Sequence, residues 1–219
     1  MSEFLTVDAE AGHGVDVELE IKRSRFLTRL CRVTTEEAAR AVIDGQRSRF
    51  FDARHHCSAF VLGPGTRISR SSDDGEPAGT AGTPMLSVLH AHHLTDVVAV
   101  VTRYFGGVKL GAGGLVRAYS DAVAQAVEAA GTRRVKLCSL LTLEVGFASI
   151  GTVEDTLRGL VLPSGAAVLV EGIEWGECAK VTVAIPATSR DEFDSALSAL
   201  STGSLKATVS GQRWVDCPA

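Results

Sequence analysis

Val97-Val98-Ala99-Val100-Val101-Thr102-Arg103-Tyr104-Phe105 is a continuous apolar, β-branched run. Such a run predicts a central strand buried on both faces. Gly106-Gly107-Val108-Lys109-Leu110-Gly111-Ala112-Gly113-Gly114 follows it, and the clearest helical pattern in the chain then begins. Leu115, Tyr119, Ala122, Val123, Ala126 and Ala130 share one face of that helix, and Gly131 is placed to end it.

The chain upstream supplies partners for this strand. Val15, Val17, Leu19 and Ile21 alternate with polar residues as in a half-wet strand, and Phe26–Val33 reads as its hairpin partner or continuation. Thr34-x-x-Glu37 is a capping-box pattern that predicts a helix start, and Cys57–Leu62 is a short buried strand. Residues 63–83 read as a long Gly-, Pro-, Ser- and Asp-rich loop, with Thr83-Pro84 as N-cap and first residue of a short helix. Residues 1–14 are expected to form a flexible arm.

Downstream the rhythm changes to strand (from Lys136), helix (149–161), a hairpin around Trp175-Gly176, helix (188–201) and strand (205–215). This βαββαβ order predicts a ferredoxin-like unit over 137–215, after an α+β unit over 15–134, with the boundary near Gly131–Arg134.

Composition narrows the function classes. With 45% hydrophobic and 22% charged residues in 219, the chain can build two cores. No apolar run approaches ~18 residues and the acidic start is unlike a secretory signal, so no membrane association and a cytoplasmic location are expected. Five scattered cysteines without a CxxC pair fit reduced thiols. The net charge of −4 argues against a broadly basic nucleic-acid surface. Its distribution is uneven: residues 1–136 hold 17 cations against 16 acids, and residues 137–219 hold 5 against 10. An anionic partner should therefore meet the first unit.

The glycine-rich turn is the strongest site signal. Gly106, Gly107, Gly111, Gly113 and Gly114 let a ligand approach the backbone, and a helix N-terminus carries unpaired N–H groups and about half a positive charge. Lys109 and Arg117 add full charges. A cation near the first helical turn is disfavoured by about 0.3–1 kcal/mol, a penalty that a bound phosphate or carboxylate would reverse. Tight helix-on-sheet packing is the competing explanation of the glycines. The spacing matches neither GxxxxGK[ST] nor a clean GxGxxG with a following acid, which excludes the common nucleotide loops.

Two further clusters deserve placing. In Asp52-Ala53-Arg54-His55-His56-Cys57, adjacent histidines on a strand point to opposite faces, so one can meet a site with Arg54 while the other meets core or solvent. Asp73, Asp74 and Glu76 could hold a hard cation or position an acid, or could be solvated acids of an Asp-Gly turn. Of His90, His92 and His93, only the first and last could share a helix face, and no third ligand accompanies them. No metal and no cofactor are expected. GxSxG, HExxH and kinase signatures are missing.

Four segments carry a family resemblance: Ile21–Phe26 (IKRSRF), Asp52–Cys57 (DARHHC), Ser72–Leu86 (SDDGEPAGTAGTPML) and Val101–Tyr119 (VTRYFGGVKLGAGGLVRAY). In this order they are similar to the IMPACT family. The resemblance implies a first unit shaped like a domain of a small-subunit ribosomal protein and domain IV of elongation factor G, and a second like domain V of that factor. It also implies a link to translation, because eukaryotic relatives act in translational control through a partner in an initiation-factor kinase pathway. No counterpart of their extra N-terminal domain is expected, since the first motif begins at residue 21. The family brings no established catalytic set. The leading expectation is a non-catalytic protein that binds RNA or the ribosome. Phosphate would meet Lys109, Arg117 and the glycine backbone, helped by Arg103, Arg54, Lys22, Arg23 and Arg25. The rival is an enzyme or binder for a small phosphorylated or carboxylated ligand, using Asp73, Asp74 or Glu76 and a histidine of the 55–56 pair.

Overall fold

The computed structural model describes residues 2–9, 13–64 and 68–217. Its first unit, Glu3–Arg134, contains β1 (Glu3–Val7), β2 (Val15–Ile21), β3 (Ser24–Arg32), α1 (Glu36–Arg49), β4 (His55–Leu62), β5 (Ile68–Ser72), α2 (Gly82–Ala91), β6 (Val97–Tyr104) and α3 (Ala112–Ala130). Five strands make an antiparallel sheet in the order β2-β3-β6-β4-β5, with β6 in the middle.

The apolar run explains that position. Val97, Ala99 and Val101 pack with Met85 and Leu89 of α2 and Leu115, Tyr119 and Val123 of α3, while Val98 and Val100 pack with Ala39 and Ile43 of α1. Each buried valine contributes on the order of 1.5 kcal/mol or more relative to exposure. A strand apolar on both faces has little register information of its own. Here the polar pair Thr102 and Arg103 ends the run and is fixed by specific partners described below.

The second unit, Val135–Asp216, comprises most of β7 (Thr132–Val145), then α4 (Ile150–Arg158), β8 (Leu169–Trp175), β9 (Ala179–Pro186), α5 (Arg190–Ser201) and β10 (Ala207–Asp216). The strand order β10-β7-β9-β8, antiparallel throughout, is the ferredoxin-like arrangement. Leu141, Leu143, Val181 and Val183 of the sheet pack with Ile150, Leu157, Phe193 and Leu197 of the helices. The division falls inside β7, between Arg134 and Val135.

Four local expectations are corrected. The segment read as a flexible arm contains β1, whose Phe4 and Val7 are buried and whose Leu5 bridges Leu94. The loop over 63–83 contains β5, a mostly exposed edge strand whose polar sequence hides it. Helix α1 is capped by Thr35 accepting from Ala38 N at 3.1 Å, not by Thr34, because Val33 is still held extended by its N–H bond to Asp96 O.

Helix α2 begins at Gly82, ahead of Thr83-Pro84, and its cap comes from a distance. Asp73 Oδ1 accepts from Ala81 N at 2.9 Å and Gly82 N at 2.8 Å, and Oδ2 accepts from Gly79 N at 2.8 Å. Burial acts to raise the Asp73 pKa, but these N–H groups outweigh it and hold the carboxyl below its ordinary value. Asp73→Asn is therefore expected to destabilise the first unit by about 1–2 kcal/mol at neutral pH. A depressed folded-state pKa gives stability above the unfolded value that is lost as pH falls through the folded one. The wild-type advantage should accordingly shrink below about pH 4 in urea unfolding followed by far-UV circular dichroism.

Candidate functional site

A type I′ turn, with Asp74 at φ 42° and Gly75 at φ 85°, closes through Glu76 N donating to Asp73 O at 3.0 Å. It delivers the Glu76 carboxylate into the first unit, where its side chain is only 4% exposed. Glu76 Oε1 accepts from Arg103 Nη1 at 2.6 Å and from the Tyr119 hydroxyl at 2.8 Å. The Arg103 guanidinium lies between the rings of Phe26 and Phe105, 5.4 and 5.7 Å from their centroids. Tyr119 packs edge-on to Phe26 and accepts from Cys57 Sγ at 3.3 Å. Burial pushes the Cys57 thiol up to about 12 and also raises the Tyr119 phenol, so neither ionises near neutrality.

Above this network opens a cleft of about 580 Å³. Arg54 and His55 line one side, Tyr104 and Phe105 the end of β6, and Lys109–Ala112 the other side. The carboxylate loop and the glycine loop meet here, through Glu76 and Pro77 on one hand and Gly111 on the other. His55 Nδ1 sits 3.0 Å from the Asp74 carbonyl oxygen, which can only accept. That contact puts a proton on Nδ1. His56 turns the other way and is buried with Nδ1 3.1 Å from Thr102 Oγ1, and burial lowers its pKa.

The glycines have separate reasons. Gly107 and Gly111 adopt φ of 83° and 73°, which other residues rarely take. Gly106 cannot carry a side chain, because a Cβ there would lie 2.0 Å from the Arg23 carbonyl carbon. Its N–H donates to Ser24 Oγ at 3.2 Å, so the Lys22-Arg23 turn of the β2–β3 hairpin is fixed beside the glycine loop. Gly114 meets Leu110 Cβ at 3.1 Å from an added Cβ. Gly113 has neither reason: its φ is not positive and nothing lies within 4 Å of an added Cβ.

Helix α3 starts at a Gly111 cap with no side-chain hydrogen bond and no acid in its first turn. Arg117 is its sixth residue, exposed on the second turn and outside the cleft lining, so the expected first-turn position is corrected. The other cations divide clearly. Arg25 pairs with Glu18 at 2.5 Å, Arg47 with Asp74 at 3.0 Å, Arg29 and Arg49 with Asp16 at 2.9 and 3.0 Å, and Arg103 with Glu76. Lys22, Arg23, Arg54, Lys109 and Arg117 make no ion pair among the described residues.

Asp73, Asp74 and Glu76 do not gather into one acidic site. Asp73 caps α2, Asp74 accepts from Arg47 and from His56 N at 2.7 Å, and Glu76 neutralises Arg103. Among the described residues no three His, Cys, Asp or Glu side chains are grouped to hold a metal ion, and no helix is long and apolar enough to cross a membrane. The Glu76–Arg103–Tyr119 network is absent from the sequence-based expectations as a unit. Its signals were present: an arginine inside an apolar strand and a tyrosine on an apolar helix face both need buried partners.

Comparison with known proteins covers the same region. A family model described as the Impact N-terminal domain matches residues 22–127, which include every residue lining the cleft. The IMPACT family member YigZ of Escherichia coli (strain K12) is 39% identical over 197 residues, covering 88% of this chain and 92% of that protein. The IMPACT family member YvyE of Bacillus subtilis (strain 168) is 43% identical over 155 residues, covering 71% of this chain and 70% of that protein. A crystal structure described as that of a hypothetical protein aligns with a TM-score of 0.60 at 37% identity, covering 95% of this chain and 98% of the other. With identity at this level across nearly the whole length of YigZ, the chain belongs to the IMPACT family.

Proposed function

We propose that the first unit binds RNA in connection with translation, as a ribosome-associated cytoplasmic factor that catalyses no reaction. The observation that carries this reading is the selective placement of unpaired cations. Arg54 and Lys109 line an aromatic-walled cleft at an uncapped helix N-terminus, and the docked hairpin adds Lys22 and Arg23 beside its glycine loop. Neighbouring arginines are neutralised by acids, which focuses the positive field on this cleft. Phe105 is 57% exposed at the cleft wall and offers a ring face for base stacking.

The non-catalytic part rests on the engagement of the acid–base candidates. Glu76 is committed to Arg103 and Tyr119, and Cys57 is held as a thiol. A second reading, a binder of a small phosphorylated or carboxylated molecule, is favoured by one observation. The acidic and glycine loops converge on a bounded cleft of a size usual for small ligands.

The test is binding to purified ribosomes and to short labelled RNA across a salt series. Wild type should bind more weakly as salt rises. Arg54→Glu/Lys109→Glu should lower the slope of log affinity against log salt by about 1.4, two single-strand phosphate contacts' worth. A wild-type protein that binds neither ribosomes nor RNA at low salt overturns the reading.

A further inference from the structure

The first turn of α3 is bare. Gly111, Ala112, Gly113 and Gly114 present nothing larger than a methyl group, and Leu115 N is the first amide here to find an intrahelical acceptor, Gly111 O at 2.9 Å. The N–H groups of Ala112, Gly113 and Gly114 have no acceptor among the described residues. Such unmet donors are ordinary at a helix start and do not by themselves make a site. What is unusual is Gly113, a glycine in the first turn that neither φ nor packing requires. Its absent side chain keeps the helix end open to whatever approaches.

A second observation is independent of the helix. Arg103 lines the same cleft with its side chain only 7% exposed, yet its Nε has no hydrogen-bond partner. A buried donor left unmet is costly, and Glu76 and Ser24 answer only Nη1 and Nη2 of this guanidinium, leaving one donor of a cleft-lining residue without an acceptor.

Resting on the phosphate-binding reading above, we propose that the cleft takes a terminal phosphate monoester of a nucleotide rather than the internal phosphodiesters of a continuous strand. The match is in the count of groups. A terminal phosphate has three unesterified oxygens, and the bare turn has three free N–H groups to meet them. An internal phosphodiester has two such oxygens and a single charge. The monoester carries a charge near −2 at neutral pH, its second pKa being about 6. Lys109 and Arg54 are unpaired, the helix end adds about half a charge, Arg103 is balanced by Glu76, and Asp52 in the lining takes one charge away. The cleft thus keeps about one and a half positive charges, more than a singly charged diester answers. Its size agrees: about 580 Å³ holds a nucleotide-sized group.

The test compares one short single strand carrying a 5′-phosphate, a 3′-phosphate or hydroxyls at both ends, with adenosine monophosphate as competitor, by fluorescence anisotropy. Wild type should prefer a phosphorylated end by roughly tenfold, about one charge-assisted contact. Gly113→Asp should abolish that preference, because its carboxylate occupies the donors. Its thermal midpoint should stay at or above wild type, since the position is open and an acid favours a helix start. Competition by the mononucleotide supports the site and shows that a free nucleotide satisfies it as well as a strand end. Equal, salt-sensitive binding of phosphorylated and hydroxyl strands overturns the end-reading proposal and leaves RNA binding standing. A preference that survives Gly113→Asp overturns the placement at α3. Adenosine monophosphate bound without any RNA supports the monoester site and overturns RNA binding, and no binding at all overturns both.

Discussion

Glu76→Ala is expected to destabilise the first unit by about 3–5 kcal/mol, because it strands a buried guanidinium. Arg103 would lose its 2.6 Å partner while remaining in a site only 7% exposed, and Tyr119 would lose the acceptor of its hydroxyl. The loss should fall on one unit. Both tryptophans, Trp175 and Trp214, lie in the second unit, so their fluorescence transition should stay in place. Hydrogen exchange at the β4, β6 and α3 amides should instead accelerate strongly. Adding Arg103→Met to Glu76→Ala should recover part of the loss, since an apolar side chain of similar length leaves no buried charge. If Glu76→Ala leaves amide exchange in β6 unchanged, the network is not what fixes the end of that strand.

The consequence reaches the cleft, because β6 is apolar on both faces and depends on Arg103 for its register. Arg103 lies opposite Phe26 on β3 and His55 on β4. A slip of one residue would exchange Arg103 and Thr102 between faces, and would carry Tyr104 and Phe105 away from the cleft. The same ion pair that anchors the fold therefore positions the aromatic wall and the start of the glycine loop.

Much of this architecture was legible because its signals are local. The β6 run, the α3 face and the alternation of β2 each declare themselves within one element. The failures are all non-local. Strand β1 declares itself through distant partners: Leu5 bridges Leu94, and the Thr6 hydroxyl reaches Asp96 O, 90 residues away. Strand β5 is a polar edge whose only strand credential is its pairing with β4. The cap of α2 comes from Asp73, nine residues ahead of Gly82, beyond the reach of any local capping pattern.

The candidate site divides in the same way. Residue type and spacing singled out Arg54, His55, Lys109 and the glycines, and the fold brings Arg54, His55, Lys109 and Gly111 to one cleft. Sequence could not separate paired from unpaired cations. Arg25 and Arg103 looked equivalent to Lys109 as phosphate contacts, but their charges are spent on Glu18 and Glu76. Nor could it show that three carboxylates within four residues serve three unrelated elements. Those facts depend on which strands adjoin, and adjacency is a property of the tertiary fold.

Two glycines in the same loop provide the sharpest comparison. At Gly106 an added Cβ would meet the Arg23 carbonyl carbon, its oxygen and Ser24 N at 2.0, 2.1 and 2.3 Å. All three are backbone atoms of a tight hairpin whose Lys22 and Arg23 are already left-handed, so no side chain can rotate out of the way. Gly106→Ala should therefore cost about 2–3 kcal/mol as an overpacked contact. It should also weaken RNA binding, because the hairpin carrying Lys22 and Arg23 must part from the loop carrying Lys109. At Gly113 the added methyl meets nothing within 4 Å, in a helical conformation where alanine is better than glycine by up to about 1 kcal/mol. Gly113→Ala should leave stability unchanged or raised while narrowing the approach to the α3 amides. Each variant adds one methyl group, and their unfolding midpoints should separate, Gly106→Ala falling while Gly113→Ala holds or rises. If Gly106→Ala unfolds at the same urea concentration as Gly113→Ala, the hairpin is not docked on the glycine loop. Its two cations would then have no fixed place beside the cleft.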